Sequence, residues 1–202
     1  MLTTYGWTER LQHDFEPYAA QGLTPGRVTV QQRGLWRLVT EAGEIDATLA
    51  GRFVHDAAEG DFPVAGDWVA ADPAGVIHAV LPRATAFKRW ASGPAGGVQV
   101  VAANVDRALL TASLNADLNL RRLERYMAAA YESGAEPVIV LTKADACDDV
   151  EALTAEVEAI AFGVPVLAVS ALSGQGMEAP TCCRRARRAS CWAPQGWASP
   201  RS

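Results

Sequence analysis

The spacing of apolar residues changes twice along this chain, from helical to alternating and then to a mixed strand-and-helix rhythm. Between Trp7 and Ala20, the residues Trp7, Leu11, Phe15 and Tyr18 recur near helical spacing, which predicts a short amphipathic helix that Pro17 bends or ends. Thr24-Pro25-Gly26 then reads as a turn. From Arg27 to about Leu81 the period shortens to that of β-segments: Val28 and Val30 alternate with polar neighbours, Gly34 interrupts, and Leu35–Thr40 follows. Glu41-Ala42-Gly43-Glu44 predicts a hairpin turn into Ile45–Leu49, and after a longer loop come Asp67–Ala71 and Val76–Leu81. Five short strands joined by tight turns suit a small closed barrel, which is read as an OB-fold. Periodicity alone does not separate it from an SH3-like barrel.

Ala91-Ser92-Gly93-Pro94-Ala95-Gly96-Gly97 is a linker by composition, and beyond it strands and helices alternate. Arg107–Thr111 predicts a buried strand. Leu118–Ser133 predicts a helix with Leu120, Leu123, Met127 and Tyr131 on one face, stopped by Gly134. Pro137–Leu141 is almost wholly apolar, as a parallel strand covered on both faces should be. Val150–Ala161 predicts a second helix and Val164–Val169 a third strand, which together make half of a doubly wound sheet. The expected organisation is α/β plus β: a helical extension over 1–23, the barrel over 24–90, a linker over 91–100, a partial α/β domain over 101–179, and a tail over 180–202.

Composition changes this picture mainly at the tail. Of 202 residues half are apolar and a fifth charged, which is globular, and no apolar run reaches the roughly 20 residues of a membrane span. The N-terminus shows no basic segment followed by an apolar one, so a soluble cytoplasmic protein without membrane partners is the default. From Pro180 onward there are five arginines and no acid, which leaves 13 basic and 23 acidic residues over 1–179, a net of −10. An acidic body argues against a broad electrostatic grip on nucleic acid, though not against a local basic face. Cys182, Cys183 and Cys191 crowd into the tail without a His or fourth Cys at zinc-ligand spacing, so no metal site is expected there.

The residues that carry chemistry follow the second α/β strand. Thr142-Lys143-Ala144-Asp145 stands at its C-terminal end, the edge where open parallel sheets bind ligands. A carboxylate there accepts two hydrogen bonds from guanine, one from the ring N–H and one from the exocyclic amine, whereas adenine presents an acceptor at the matching ring nitrogen and lacks that amine. The Lys143 stem can lie along the flat base, and the Thr142 hydroxyl can tie neighbouring loops together. Ser170-Ala171 occupies the same position one strand later, where a small residue lets a backbone N–H approach the guanine carbonyl oxygen. Against this stands the bland reading, that a short Thr-Lys-x-Asp string is a solvated loop.

Val101–Asp106, Leu118–Tyr126, Thr142–Asp145, Val169–Leu172 and, in the barrel, Ala65-Gly66-Asp67-Trp68-Val69 together resemble the ribosome small-subunit-dependent GTPase A family, also called RsgA or YjeQ, from about Gly6 through Met177. The family usually has Asn where this chain has Thr142, a departure that touches the loop-tying hydrogen bond and not the base contact of Asp145. The resemblance implies a circularly permuted P-loop-NTPase-type domain that presents its guanine-reading loops first. It also implies GTP or GDP with Mg²⁺ as cofactor and zinc in a further C-terminal domain. The implied function is GTP binding and hydrolysis in late maturation of the small ribosomal subunit, whose rRNA the barrel contacts. Arg27, Arg33, Arg37 and Arg52 are the candidate RNA contacts, with solvated strand faces as the alternative for each.

No Gly-x4-Gly-Lys-Ser/Thr occurs in the sequence, so the chain as written is expected to be inactive by itself; the alternative is a non-catalytic RNA-binding OB module with a vestigial guanine-binding half-domain. The tail offers a reason. When the last base of each codon is read with the first two of the next, Cys191 into Trp192 gives Leu, and both Trp192 into Ala193 and Trp197 into Ala198 give Gly. The remaining borders permit Leu-Gly-Pro-Ser-Gly-Val-Gly-Lys-Ser-Thr-Leu, provided Ser199 has an AGY codon. This predicts that the reading frame is lost near Ala179–Cys182, with Arg184-Arg185-Ala186-Arg187-Arg188 an accident of translation.

Overall fold

The computed structural model describes residues 2–58, 60–90, 98–115, 118–177 and 189–192, with residues 90, 98 and 189–192 described by their backbone alone. They form two compact units, one up to Val105 and one from Asp106 onward. Of the expected linker over 91–100, residues 91–97 lie outside the described residues, as does most of the tail, while 98–100 belong to a strand.

In the first unit, β1 (Thr24–Gln32), β2 (Leu35–Thr40), β3 (Gly43–Leu49), β4 (Trp68–Ala71) and β5 (Val76–Val80) close a barrel in the order β1-β2-β3-β5-β4. The parallel pairing of β3 with β5, with α2 (Gly51–Asp56) in the connection between β3 and β4, decides for the OB-fold. The sequence pattern gave no sign of α2, whose six residues include none that is buried. Val28, Trp36, Leu38, Ala47, Val69, Ala71 and Ile77 fill the barrel.

The alternate residues of β4, Trp68 and Ala70, face outward against Leu2, Leu11 and Phe15. That second layer comes from a 3-10 turn (Leu2–Tyr5) and from α1 (Glu9–Ala19), whose N-cap Thr8 accepts the Leu11 N–H. All four β4 residues are therefore buried. Pro17 does not end α1, because it sits in the last turn, where water reaches the carbonyl that loses its partner. Nor is Thr24-Pro25-Gly26 a turn: it opens β1, with Pro25 opposite Ala70 and Gly26 opposite Val69. A missing N–H is tolerated near a strand's first residue, and a Cβ on Gly26 would come within 3.2 Å of Leu38 Cδ1.

The unit ends in an antiparallel pair, β6 (Ala86–Trp90) and β7 (Val98–Ala103), in which Ala102 and Ala103 pair with Phe87 and Ala86 beyond a bulge at Val101, and the second unit begins at Asp106. Asn104, at φ 52°, locks this junction: its side chain accepts the Ala84 N–H at 2.8 Å and donates to the Gly66 carbonyl at 3.1 Å. Gly66 itself has φ +93°, and a Cβ there would overlap the Ala103 carbonyl oxygen. Gly66→Ala is therefore expected to destabilise the unit by about 2–3 kcal/mol, from left-handed strain together with a backbone clash, as a urea-midpoint shift will show.

Next to it, Asp67 is fully buried and grips Arg83 through both carboxylate oxygens, each bond 2.8 Å long. Asp67 also accepts the Val64 N–H, and Arg83 donates to the carbonyls of Gly60 and Phe62. The hydrogen bonds from Arg83 to Asp67 hold the guanidinium's pKa above its usual value. The long loop before β4 is thus fastened by one ion pair whose carboxylate is fully buried.

In the second unit, β8 (Arg107–Ser113), β9 (Glu136–Thr142), β10 (Val166–Ala168) and β11 (Ala189–Trp192) form one sheet in the order β10-β9-β8-β11, every pair parallel. α3 (Leu120–Ser133) begins at the N-cap Asn119 and ends at Gly134, φ 86°; α4 (Val150–Ala161) begins at the N-cap Asp149. They bury Leu123 and Met127, and Val157 and Ala161. β11 corrects the sequence pattern, which ended the sheet at the third strand. Ala-Ser-Cys-Trp has no alternation to reveal it, and only its pairing with the open side of β8 makes it a strand.

Candidate nucleotide-base site

Because the strands are parallel, the loops after β9 and β10 leave the same edge of the sheet. β9 brings Thr142 to that edge opposite Ser113 of β8, and the Thr142 hydroxyl donates to the Ala112 carbonyl at 3.1 Å. The Thr142 carbonyl accepts the Leu114 N–H at 2.9 Å. Thr142 thus ties the end of β9 to the end of β8.

Lys143 follows in the left-handed region, at φ 60° and ψ 40°, a conformation that costs a residue with a Cβ about 1 kcal/mol or more. The reversal starts a 3-10 turn (Ala144–Ala146) whose first residue is buried and donates its N–H to the Val169 carbonyl at 3.1 Å. Val169 in turn donates to the Leu141 carbonyl at 2.8 Å. The two loops are therefore joined through their backbones before any side chain is considered.

Asp145 and Ser170 complete the junction. The Ser170 hydroxyl donates to Asp145 Oδ1 while accepting the Ser173 N–H at 3.1 Å. Ser170 is fully buried, and its backbone is pinned by Gln175 and Gly174. A carboxylate has about four acceptor sites, so one bond from Ser170 orients Asp145 and leaves capacity for two more donors. Lys143, Asp145 and Ala171 are exposed. Of the residues expected here, Asp145 and Ser170 share a direct hydrogen bond, Ala144 is tied to the second loop through Val169, and Thr142 is tied to the end of β8.

Gly176 was not foreseen, and it shapes the loop. Its φ is +71°, and a Cβ would overlap the Ala168 carbonyl oxygen, so only glycine lets the chain turn back under Ser170. The string Gly174-Gln175-Gly176 was the available signal.

The four arginines proposed for RNA separate. Arg27 is a correction: it is 9% exposed, donates to the carbonyls of Tyr5 and Asn104, and lies 5.6 Å from the Trp68 ring, so it is a structural cation inside the first unit. Arg33 is exposed in the β1–β2 turn, and Arg37 on β2 is exposed beside Asp46 at 3.2 Å. Arg52 is on α2, not on that hairpin, and lines a cleft of about 550 Å³ with Phe53, His78 and Arg83. Among the described residues no three His, Cys, Asp or Glu side chains gather as metal ligands, and no helix is long and apolar enough to cross a membrane.

Known proteins resemble this chain in sequence and in fold. A family profile described as RsgA GTPase matches residues 80–182. A protein of Syntrophotalea carbinolica named small ribosomal subunit biogenesis GTPase RsgA is 44% identical over 184 residues, 86% of this chain and 50% of its own length. One of the same name from Streptomyces coelicolor is 44% identical over 183 residues, 88% of this chain and 50% of its own length. The chain spans about half the length of the curated relatives it matches. The crystal structure of YjeQ from Thermotoga maritima matches with a TM-score of 0.60 at 22% identity, over 80% of this chain and 56% of that one, a likeness of fold. YloQ, a circularly permuted GTPase, matches with a TM-score of 0.55 at 20% identity, over the same shares. The profile match runs through both of the joined loops, and by it the chain belongs to the RsgA GTPase family.

Proposed function

We propose that this chain is the leading part of a small ribosomal subunit biogenesis GTPase, and that its loops after β9 and β10 form the guanine-reading half of the nucleotide site. The hydrogen bond from Ser170 to Asp145 carries this reading, because it holds one carboxylate at the ligand-binding edge of a parallel sheet with acceptor capacity to spare. Asp145 accepts the guanine ring N–H and exocyclic amine, the Lys143 stem covers one face of the base, and the Ala171 N–H approaches the carbonyl oxygen. Thr142 acts indirectly, by fixing the end of β9 to β8. Hydrolysis of GTP, with Mg²⁺ on the phosphates, is an activity of the longer protein. In the chain as written, with no Gly-x4-Gly-Lys-Ser/Thr, the base contacts hold nucleotide weakly.

The barrel is the rRNA-facing part. The β1–β2 tip supports this, since Thr29 through Leu35 are all exposed and Arg33 and Arg37 lie on that hairpin, the loop with which OB-folds bind oligonucleotides. Arg52 belongs to a separate face.

Amide-shift titrations with guanosine and adenosine test the base site. Guanosine is expected to shift residues 142–145 and 170–176 with a dissociation constant of about 1 mM, the range of a few unsupported hydrogen bonds, and adenosine is not. Equal response to both nucleosides overturns the assignment.

A further inference from the structure

The stretch from Pro180 onward contributes one element to the described structure, and its position is informative. β11 runs parallel to β8, with Ala189 opposite Arg107 and Trp192 opposite Leu110. Since β8, β9 and β10 are parallel too, β11 points toward the edge that carries Thr142 and Ser170, with Trp192 level with Leu110 and Ile139. A phosphate-binding loop is a strand-to-helix turn leaving that edge of a parallel sheet. The edge also holds an unexplained polar group. Ser113, the last residue of β8, is fully buried, and its hydroxyl has no hydrogen-bond partner among the described residues. It lies beyond the last β8 residue that β11 pairs with, in the direction β11 points.

The genetic code supplies an independent line. Read one base upstream, Ser190 into Cys191 gives Leu, Met or Val for every serine codon, and Cys191 into Trp192 gives only Leu. The shifted reading of β11 therefore ends in two apolar residues, as a buried strand requires. Trp192 into Ala193 then forces Gly, and Trp197 into Ala198 forces another five residues on, the spacing of Gly-x4-Gly. Lys and Ser are permitted next only when Ser199 is encoded by AGY. The first forced glycine falls directly after the strand that the structure points toward the ligand-binding edge.

We propose that the gene for this chain has lost one nucleotide, or gained two, near the codons of Ala179 to Cys182, and that the frame one base upstream encodes a phosphate-binding loop immediately after β11. Its ligand is the diphosphate or triphosphate of a nucleotide, held by successive backbone N–H groups, the N-terminus of the following helix and the lysine charge. The unpartnered Ser113 hydroxyl is the hydrogen-bonding group that this loop meets at the end of β8. The identity of the base rests on the guanine reading above; the phosphate site does not.

The test begins with the DNA. The expected codon for Ser199 is AGC or AGT preceded by an Ala198 codon ending in A, and a TCN codon overturns the proposal. The gene is next expressed to its own stop codon after insertion of one nucleotide between the codons of Met177 and Ala189. Its product and the chain as written are both titrated with guanosine, adenosine, GDP and ADP. Restoration is expected to make GDP bind at least about 100-fold more tightly than guanosine, against little difference in the chain as written, because phosphates dominate affinity in such folds. A restored protein that prefers guanosine to adenosine but gains nothing from the phosphates overturns the proposal and leaves the guanine reading intact. Tight binding of GDP and ADP alike supports the phosphate site and removes the guanine reading.

Discussion

Asp145→Asn is expected to abolish the preference for guanine over adenine and to create one for xanthine. Guanine presents two donors side by side, and the carboxylate presents two acceptors; an asparagine amide presents one acceptor and one donor. The amine of guanine then faces an N–H, while xanthine has a carbonyl oxygen at that position. Hydrogen bonds to a charged group contribute about 1.5–3 kcal/mol each, so loss of one and conflict at the other lowers guanosine affinity about 100-fold. The substitution keeps the side chain's shape and an oxygen that accepts from Ser170, so the loop junction persists. Dissociation constants for guanosine, xanthosine and adenosine, read from the amide shifts of residues 170–176, give the comparison. A variant that still prefers guanine removes Asp145 from the base site.

The other large effect is on stability. Asp67→Ala is expected to lower the stability of the first unit by about 3–5 kcal/mol, the cost of leaving a buried charge without its counter-ion. Asp67 has no exposure to solvent, and Arg83 lies with its guanidinium between Asp67 and the carbonyls of Gly60 and Phe62. Removing the carboxylate also orphans the Val64 N–H. Urea unfolding followed by near-ultraviolet circular dichroism of Trp36 and Trp68 measures the change. Adding Arg83→Met to Asp67→Ala is expected to cost little more, because the orphaned charge is removed with its partner. A loss below about 1 kcal/mol for the single variant places the pair among ordinary surface ion pairs.

These two aspartates show how differently the same residue type can be read from sequence. Asp145 was legible because its neighbours define a setting: a wholly apolar run before it and a second small-residue loop one strand later. Asp67 stood in a string that resembled a family signature, yet nothing local told that its partner would be Arg83. Arg27 was misread for a related reason. A β-segment with polar alternation suggests a solvated arginine, but the 3-10 turn supplies the Tyr5 carbonyl and β4 supplies the Trp68 ring, which enclose it. Elements fared likewise. α3 and α4 carry helical periodicity and explicit caps, and the barrel strands alternate, whereas α2 has no buried face and β11 has no alternation.

By itself the amino-acid sequence determined the helices α1, α3 and α4, the barrel strands and the strands β8 to β10, which loop carries the candidate base contact, and the family resemblance, because periodicity, capping and short motifs are local properties of a chain. Only the tertiary structure decided that the barrel is OB-type, that Ser170 orients Asp145, that Arg27 is internal, and that β11 lies beside β8. Each of those depends on contacts between residues far apart in sequence, which burial and hydrogen-bond satisfaction select and which no local pattern encodes.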